Sequence, residues 1–590
     1  MNRDRKKESI IKSLKRLWKH VSIRRQRQFK FLIIFMLFTS LAEIVSIGAV
    51  LPFLGVITNP EIIFNNDLLQ PLIVFFNIND PKELILPLTV IFIIAAITSG
   101  LFRIILLRIN SKLSFATGSD MSINIYRRTL YQNYEVHSSR NSSELISGVS
   151  TKADALIYSI ILPFITLISS SAMMVAILVT LLIIDPNVAL STFGGFGIVY
   201  FIISLISKKR LALNSNKAAS MRNQVVKSLQ EGLGGIRDVL INNTQEVYAD
   251  LYKKADVSLR EAQASSVFIT LAPRYAIEAL GMVVISLVAL FLTRDIENVV
   301  RIIPVLGALA LGAQRLLPIM QQGYAAWSQI SDGHASLIDV LEFLDQPLPN
   351  YINQTSKRIN FEDSIELVDI EFAYHESNKP LFFDLNLRIK KGSRIGFIGP
   401  TGCGKSTLLD IIMGLLSPSS GKILIDGIKI NDLNKSAWQS QIAHVPQDIF
   451  LADATISENI ALGTPKKDIN FNKIEECVKQ AQLSEVISNL PQKYNTNIGE
   501  RGIRLSGGQK QRIGIARALY REATLIIFDE ATSALDSATE TDVMSSIDSL
   551  SNNLTLLMIA HRISTLKNCD FIVELSEGRI EKIGKYDDFM

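Results

Sequence analysis

The chain has 590 residues, 48% of them apolar, and a net charge of +5 at neutral pH. That length exceeds what one hydrophobic core organises, so two or more domains are expected. A mean hydropathy of +0.25 points to part of the chain lying in lipid, and so small a net charge excludes a global polyanion-binding field.

Residues 1–28 form a basic segment expected in the cytoplasm. Residues 1–30 hold twelve Lys and Arg, among them Arg5, Lys6, Lys7, Arg24 and Arg25, against Asp4 and Glu8. An apolar run follows at once, which favours contact with an anionic inner leaflet over a nucleic-acid arm. That run is too long for a cleavable signal peptide, and no small-residue cleavage site stands out.

Six long apolar runs follow, at 29–57, 84–107, 156–184, 188–206, 267–292 and 299–320. A crossing helix needs about 17–25 mostly apolar residues, so each is expected to span a membrane. The loop at 58–83 has one basic residue, Lys82, and the loops at 185–187 and 293–298 have one between them, Arg294. The other two loops are long and basic, with Arg108, Lys112, Arg127, Arg128 and Arg140 in one and Lys208, Lys209, Arg210, Lys217 and Arg237 in the other. Basic loops stay in the cytoplasm, which predicts that both termini lie there. The two long loops read as helical, so the spans are expected to continue well beyond the membrane. Residues 68–78 are apolar but too short to cross and predict an interfacial helix on the outer face. A transmembrane domain is thus expected over 29–345.

Pro347-Leu348-Pro349-Asn350 opens a polar linker, 346–360, and an α/β pattern fills 361–590. The cysteines, Cys403, Cys477 and Cys569, all fall in this polar part. Their spacing fits neither a disulfide framework nor a zinc site and predicts reduced cytosolic thiols. Gly399-Pro400-Thr401-Gly402-Cys403-Gly404-Lys405-Ser406 fits Gly-x-x-x-x-Gly-Lys-Ser/Thr, a loop that wraps nucleotide phosphates with backbone N–H groups. Its glycines permit the tight turn, Lys405 supplies a point charge for the β- and γ-phosphates, and Ser406 supplies a hydroxyl for Mg²⁺. Thr407 follows in the helix that starts at the loop. Leu525-Ile526-Ile527-Phe528-Asp529-Glu530 is an apolar strand ending in two carboxylates, with Asp529 placed to hold Mg²⁺ and Glu530 to polarise the attacking water. Leu505-Ser506-Gly507-Gly508-Gln509 is a glycine-rich turn into a helix, either a second anion site or a plain helix cap.

Together these motifs resemble the ATP-binding cassette family. The turn at 505–509 looks like the family signature, and other elements fall in the family's order. Tyr374 resembles the aromatic that stacks on adenine, and Gln447 resembles the residue that senses Mg²⁺ and contacts the membrane domain. Ser533-Ala534-Leu535-Asp536 resembles the loop that crosses to a partner cassette, and His561 the γ-phosphate sensor. Gly499-Glu500-Arg501-Gly502 resembles the segment that reports to the membrane loops.

The resemblance implies ATP and Mg²⁺ as cofactors. Glu530, His561, Gln447 and Lys405 would be catalytic, and Ser406, Gln447 and Asp529 would hold the metal. Tyr374, the loop from Gly399 to Thr407, Ser506 to Gln509 and Asp536 would hold nucleotide. It implies a six-span helical transmembrane domain of the type I exporter kind, a domain-swapped dimer, followed by an α/β P-loop nucleotide-binding domain. Two copies would pair head to tail in a bacterial inner membrane, with no nucleic acid beyond ATP. Asn141-Ser142-Ser143-Glu144-Leu145-Ile146-Ser147 looks like the end of a first coupling loop, and Glu231-Gly232-Leu233-Gly234-Gly235-Ile236-Arg237 like the start of a second.

Three arginines lie inside the apolar runs, where charge is costly. At about 1.5 Å per residue, Arg274 sits about 10 Å into the fifth run and Arg315 about 24 Å along the sixth. Arg103 sits near the inner end of the second. All three project to the cytoplasmic half and suit an anionic cargo, with Arg103 also able to snorkel and Arg274 able to pair with Glu278. Ala272-Pro273-Arg274-Tyr275 with Glu278, Arg315-Leu316-Leu317-Pro318 and Glu43 resemble bacterial flippases of lipid-linked oligosaccharides. That likeness implies that Arg103, Arg274 and Arg315 receive a lipid pyrophosphate. The alternatives are a drug, peptide or lipid A exporter and, from another class, an ATP-gated channel or regulator.

Overall fold

The structure is a computed structural model that describes residues 8–58, 60–65, 70–139, 146, 148, 151–184, 186–292, 299–349, 359–374, 379–530, 537–548, 553–560 and 562–590. Two compact units divide the chain, Met1–Gln132 with Arg140–Pro347, and Asn133–Ser139 with Leu348–Met590.

The first unit is helical. Helix α1 (Ile10–His20) starts at Ser9, whose hydroxyl accepts the Lys12 N–H, and α2 (Ile23–Gly48) starts in the same way at Ser22. Such caps satisfy N–H groups that the first turn leaves without partners. Then come α3 (Ile85–Leu130), the short α4 (Tyr134–Ser139) that belongs to the second unit, α5 (Leu162–Ile184), α6 (Pro186–Gly234), α7 (Gln245–Leu292), α8 (Val299–Asp332) and α9 (His334–Leu344). With 49 residues, α6 runs about 70 Å at 1.5 Å per residue. That is more than twice a hydrocarbon core of about 30 Å, so each long helix has an apolar stretch and a polar continuation.

Among the described residues, Ile23–Thr58, Pro81–Leu130 and Lys152–Ile183 are long and apolar enough to cross a membrane. The remaining three apolar runs fall on α6, α7 and α8, where many side chains lie outside the described set. Six crossings therefore stay an expectation. Of the segment 68–78, residues 68 and 69 are outside the described set, and a helix Gln70–Phe75 follows. Ile73 and Ile78 pack there with Val56, Leu84 and Leu88. The main core of the unit joins Leu17 of α1, Met36 of α2, Ile125 of α3 and Leu341 of α9, so the amphipathic first helix is docked by its apolar face.

The second unit has two sheets. Strands β1 (Ser364–Phe372) and β2 (Phe382–Lys390) join β4 (Ser420–Ile425) and β5 (Ile428–Lys429) in an antiparallel sheet ordered β2-β1-β4-β5. The larger sheet uses β3 (Arg394–Ile398), β6 (Ile442–Val445), β7 (Leu525–Asp529), β8 (Thr555–Ile559), β9 (Phe571–Ser576) and β10 (Arg579–Gly584), ordered β10-β9-β3-β8-β7-β6. It is parallel except at the β10 edge. Residues 395–398, 525–528 and 555–559 are buried without alternation, as strands covered on both faces must be. Only β8 separates β3 from β7. Their C-terminal ends, one leading to helix α10 (Lys405–Ile412) and the other ending at Asp529, therefore open side by side. Helix α11 (Gly507–Tyr520) precedes β7 in the chain.

Candidate functional site

The loop between β3 and α10 takes a shape only glycine allows. Gly399, Gly402 and Gly404 have φ of +144°, +86° and +102°. A Cβ on Gly399 would sit 2.2 Å from the Leu575 carbonyl oxygen, and one on Gly404 would sit 2.7 Å from the Phe382 ring. Beside Gly402 nothing lies within 4 Å, which leaves room for a ligand. Lys405 is 8% exposed and donates to the carbonyls of Gly399 (2.8 Å) and Pro400 (3.1 Å), so its ammonium lies along the loop. Pro400 also anchors the turn by accepting the Cys403 N–H at 3.3 Å. Thr401 is exposed at the tip.

Ser406 donates to Asp529 Oδ1 at 3.4 Å. The fold thereby brings together a hydroxyl and a carboxylate that lie 123 residues apart in sequence. Hard oxygen donors of this kind suit Mg²⁺, which takes few protein ligands beside phosphate. The cradle and the donor pair fit a Mg²⁺–nucleotide. Burial pushes the Asp529 carboxyl above the ordinary range, while His444 on β6, Ser406 and Lys405 pull the other way. Glu530 follows at φ +50°, in the left-handed region. Gln447 is exposed, and its carbonyl accepts the Gln511 side chain at 2.9 Å.

Tyr374 stacks edge-on with Phe372 at 4.9 Å, and its hydroxyl is 2.9 Å from Thr407 Oγ1. The aromatic is thus tethered to the helix that begins at the phosphate loop. Ser506 caps α11 by accepting the Gln509 N–H (3.3 Å), and Gln509 accepts the Ser506 N–H (3.0 Å). The plain cap therefore exists. It holds Gly507 and Gly508 at a helix N-terminus, so a cap and an anion site are compatible here. Arg501 turns at φ +52° inside Glu500–Gly502. Asp536 and His561 lie outside the described residues, as does most of 141–147.

Sequence reasoning missed α4. Residues 133–139 belong to the same unit as the phosphate loop. Asn133 Oδ1 lies 3.4 Å from Lys435 Nζ, and burial, with Asp410 and Tyr374 nearby, raises the Tyr134 pKa. The only signal was position, a short polar stretch at the end of a long amphipathic run. At the expected second coupling segment, α6 stops at Gly234, Gly235 breaks the helix, and Ile236–Ile241 restarts it.

The two arginines with described side chains, Arg103 and Arg274, make separate ion pairs. Arg103 pairs with Glu43, which is wholly buried and also accepts the Ser99 hydroxyl at 2.6 Å. Arg274 donates through Nε to Glu278 Oε1 at 2.9 Å, and Gln321 reaches the same oxygen at 3.4 Å. Arg274 also lines a cavity of about 270 Å³ with Tyr200, Thr270, Gln321 and Tyr324, and Arg103 is not among its walls. Arg315 is carried by α8, with its side chain outside the described set. The polar walls beyond Arg274 were not picked out from sequence, because Tyr and Thr pass unremarked in an apolar run.

Two family models match the chain. One, the ABC transporter transmembrane region, matches residues 29–298, and the other, ABC transporter, matches 382–533. An ATP-dependent lipid A-core flippase of Cupriavidus pinatubonensis is 28% identical over 481 residues, 80% of each chain. An uncharacterized ABC transporter ATP-binding protein of Bacillus subtilis is 42% identical over 227 residues, 38% of this chain and 39% of that protein. A solved bacterial Atm1-family ABC exporter with ATP bound matches the fold with a TM-score of 0.76 at 20% identity, over 96% of each chain.

Proposed function

This chain belongs to the ABC transporters, an ATP-binding unit behind a helical transmembrane unit, and we propose that it works as a homodimeric flippase or exporter of a lipid-linked oligosaccharide or similar anionic amphiphile. It is an ATPase whose hydrolysis is coupled to transport. In this reading it sits in a bacterial inner membrane with both termini cytoplasmic and takes its cargo from the inner leaflet.

On the ATP side, Lys405 exchanges two neutral carbonyl partners for phosphate oxygens, a charge-assisted and stronger contact. Ser406 and Asp529, with Gln447, would hold Mg²⁺, which when bound neutralises charge on the β- and γ-phosphates. Glu530 is the residue that orients the attacking water, and Tyr374 offers its ring to adenine. Ser506 to Gln509 present the α11 N-terminus to nucleotide held by the partner, with Asp536 and His561 assigned by resemblance.

The observation that carries the cargo class is the Arg274 cavity. Glu278 engages Nε alone, so the terminal fork of a guanidinium with five donors stays available for bidentate phosphate binding. A side chain 56% exposed within an apolar run supports a ligand-facing role. The lipid A-core flippase relative favours a second reading, a phosphorylated lipid A-type cargo. The test is flipping in proteoliposomes with a polyprenyl-pyrophosphate saccharide, a lipid A-core and a neutral amphiphile. Arg274→Ala and Arg315→Ala should each slow flipping of the anionic cargo about tenfold, the loss of about one charge-assisted contact, with ATP binding intact. Unchanged flipping in both variants overturns the reading, and the preferred anionic lipid decides between the two cargoes.

A further inference from the structure

A cavity of about 490 Å³ lies between α5, α6 and α8. The three helices meet there at one level. A Cβ added to Gly323 of α8 would sit 3.8 Å from Ser170 Cβ of α5, and the ring of the next residue, Tyr324, is centred 5.5 Å from that of Tyr200 on α6. Trp327 adds a third ring, 5.9 Å from Tyr324. Tyr200 and Tyr324 also line the Arg274 cavity, so this pair of rings is the partition between the two spaces.

Three observations describe what the cavity would hold. Among the described residues its walls carry no charged side chain, and a charge enters such surroundings only at high cost. Ser170 is 4% exposed, lines the cavity and has no hydrogen-bond partner for its hydroxyl among the described residues. A helical serine or threonine ordinarily bonds back to the carbonyl one turn earlier, as Thr166, Ser171 and Thr180 do on this same helix. Ser170 does not, and a buried hydroxyl without a partner costs free energy that a ligand recovers. Finally, Gly197 and Gly323 face the cavity from helix interiors, where glycine is destabilising relative to alanine. Close packing requires neither: nothing described lies within 4 Å of a Cβ on Gly197, and only the Ser170 Cβ does for Gly323. Their effect is to widen the space.

We propose that this cavity binds one uncharged, ring-bearing alcohol, with its ring among Tyr200, Tyr324 and Trp327 and its hydroxyl on Ser170. Aromatic walls with few polar groups are the usual lining of a site for a small organic molecule. A hydrocarbon chain leaves Ser170 unpaired, and a sugar strands most of its own hydroxyls. The site is distinct from the Arg274 cavity. Its occupancy is measured without nucleotide or anionic cargo, so it stands or falls apart from the transport reading.

The test is photolabelling of the full-length protein in lipid nanodiscs, read by peptide mass spectrometry. The probe is 4-(hydroxymethyl)benzophenone, compared with 4-methylbenzophenone and the anion 4-benzoylbenzoate at equal concentrations in the bilayer. The alcohol should label cavity walls such as Met174 or Met320 and half-saturate about fivefold lower than the methyl compound, the worth of about one hydrogen bond. The anion should not label them. Ser170→Ala should erase that fivefold preference while leaving the Tm unchanged or raised, because the unpaired hydroxyl gives the fold nothing, and Ser170→Thr should keep the preference. Gly323→Leu, which fills the space, should abolish wall labelling. Label spread equally among the three probes, a preference that survives Ser170→Ala, or walls that stay unlabelled because a second copy of the chain fills them overturns the proposal. So does displacement of the probe by octyl glucoside and not by benzyl alcohol, which would make a sugar the occupant.

Discussion

Cys403 sits in the phosphate loop with partial exposure, whereas Cys477 and Cys569 are buried. Burial pushes their thiols to about 11 and about 12. Thiolate is the reactive form, so a maleimide at pH 7.5 should modify Cys403 alone and block ATP hydrolysis, and ATP should protect it. Mass-spectrometric mapping that finds either buried cysteine labelled first would count against this. A second residue, Glu458, reports on stability. Its carboxylate accepts the Thr455 N–H and hydroxyl and pairs with Lys466 at 3.1 Å, closing a capping box on helix Ile456–Ile460. The Thr455 backbone bond is the main cause that depresses its pKa to about 2. A depressed acid stabilises the fold above its unfolded pKa and loses that contribution as pH falls through the folded one. Glu458→Gln should therefore lower the Tm at pH 7, and the gap to wild type should shrink from about pH 4.5 downward. A gap that stays constant to pH 3 would mean that the charge is irrelevant.

Between elements, the pair that joins α2 to α3 decides what Arg103 does. Glu43 is fully buried and Arg103 is its ion-pair partner. Removing one member of such a pair strands the other and costs about 3–5 kcal/mol, whereas removing both can be nearly neutral. Glu43→Gln and Arg103→Gln should each lower the melting temperature of the detergent-solubilised protein, and the double variant should recover most of the loss. Flipping should recover with it. A double variant that is stable yet inactive would return Arg103 to the cargo site that the sequence suggested. Nothing in the sequence announced this pairing. An apolar run is legible because membrane crossing demands a minimum length, and the phosphate loop is legible because its chemistry needs glycines and a lysine at fixed spacing. A contact between Glu43 and Arg103, or between Tyr374 and Thr407, depends on how separate elements pack, which local pattern does not encode. The membership of α4 in the ATP-binding unit was hidden for the same reason.

At the scale of the whole molecule, the open matter is whether one chain makes an ATP site or two chains share it. The sheet places the phosphate loop and Asp529 at neighbouring strand ends, which accounts for half of a site, namely the grip on phosphate and metal. Ser506 to Gln509 head a separate helix. The head-to-tail dimer we propose would set this helix against nucleotide held by the other copy. Two complementary lesions tell the arrangements apart. Lys405→Ala disables the phosphate loop of one chain, and Ser506→Arg blocks the α11 N-terminus of the other. If each site lies within one chain, every site in the mixed dimer carries one lesion and hydrolysis stays at the level of either parent. If sites are shared, one site of the mixed dimer collects both lesions and the other collects none. Co-expressed, separately tagged and doubly purified mixed dimers should then hydrolyse ATP more than about tenfold faster than either variant alone, about 1.4 kcal/mol or more in activation free energy. No recovery in a verified mixed dimer would reject head-to-tail sharing while leaving the ATPase assignment intact. The separation follows from geometry alone, because lesions on two different chains can collect in one site, leaving the other intact, only when the walls of each site come from different chains.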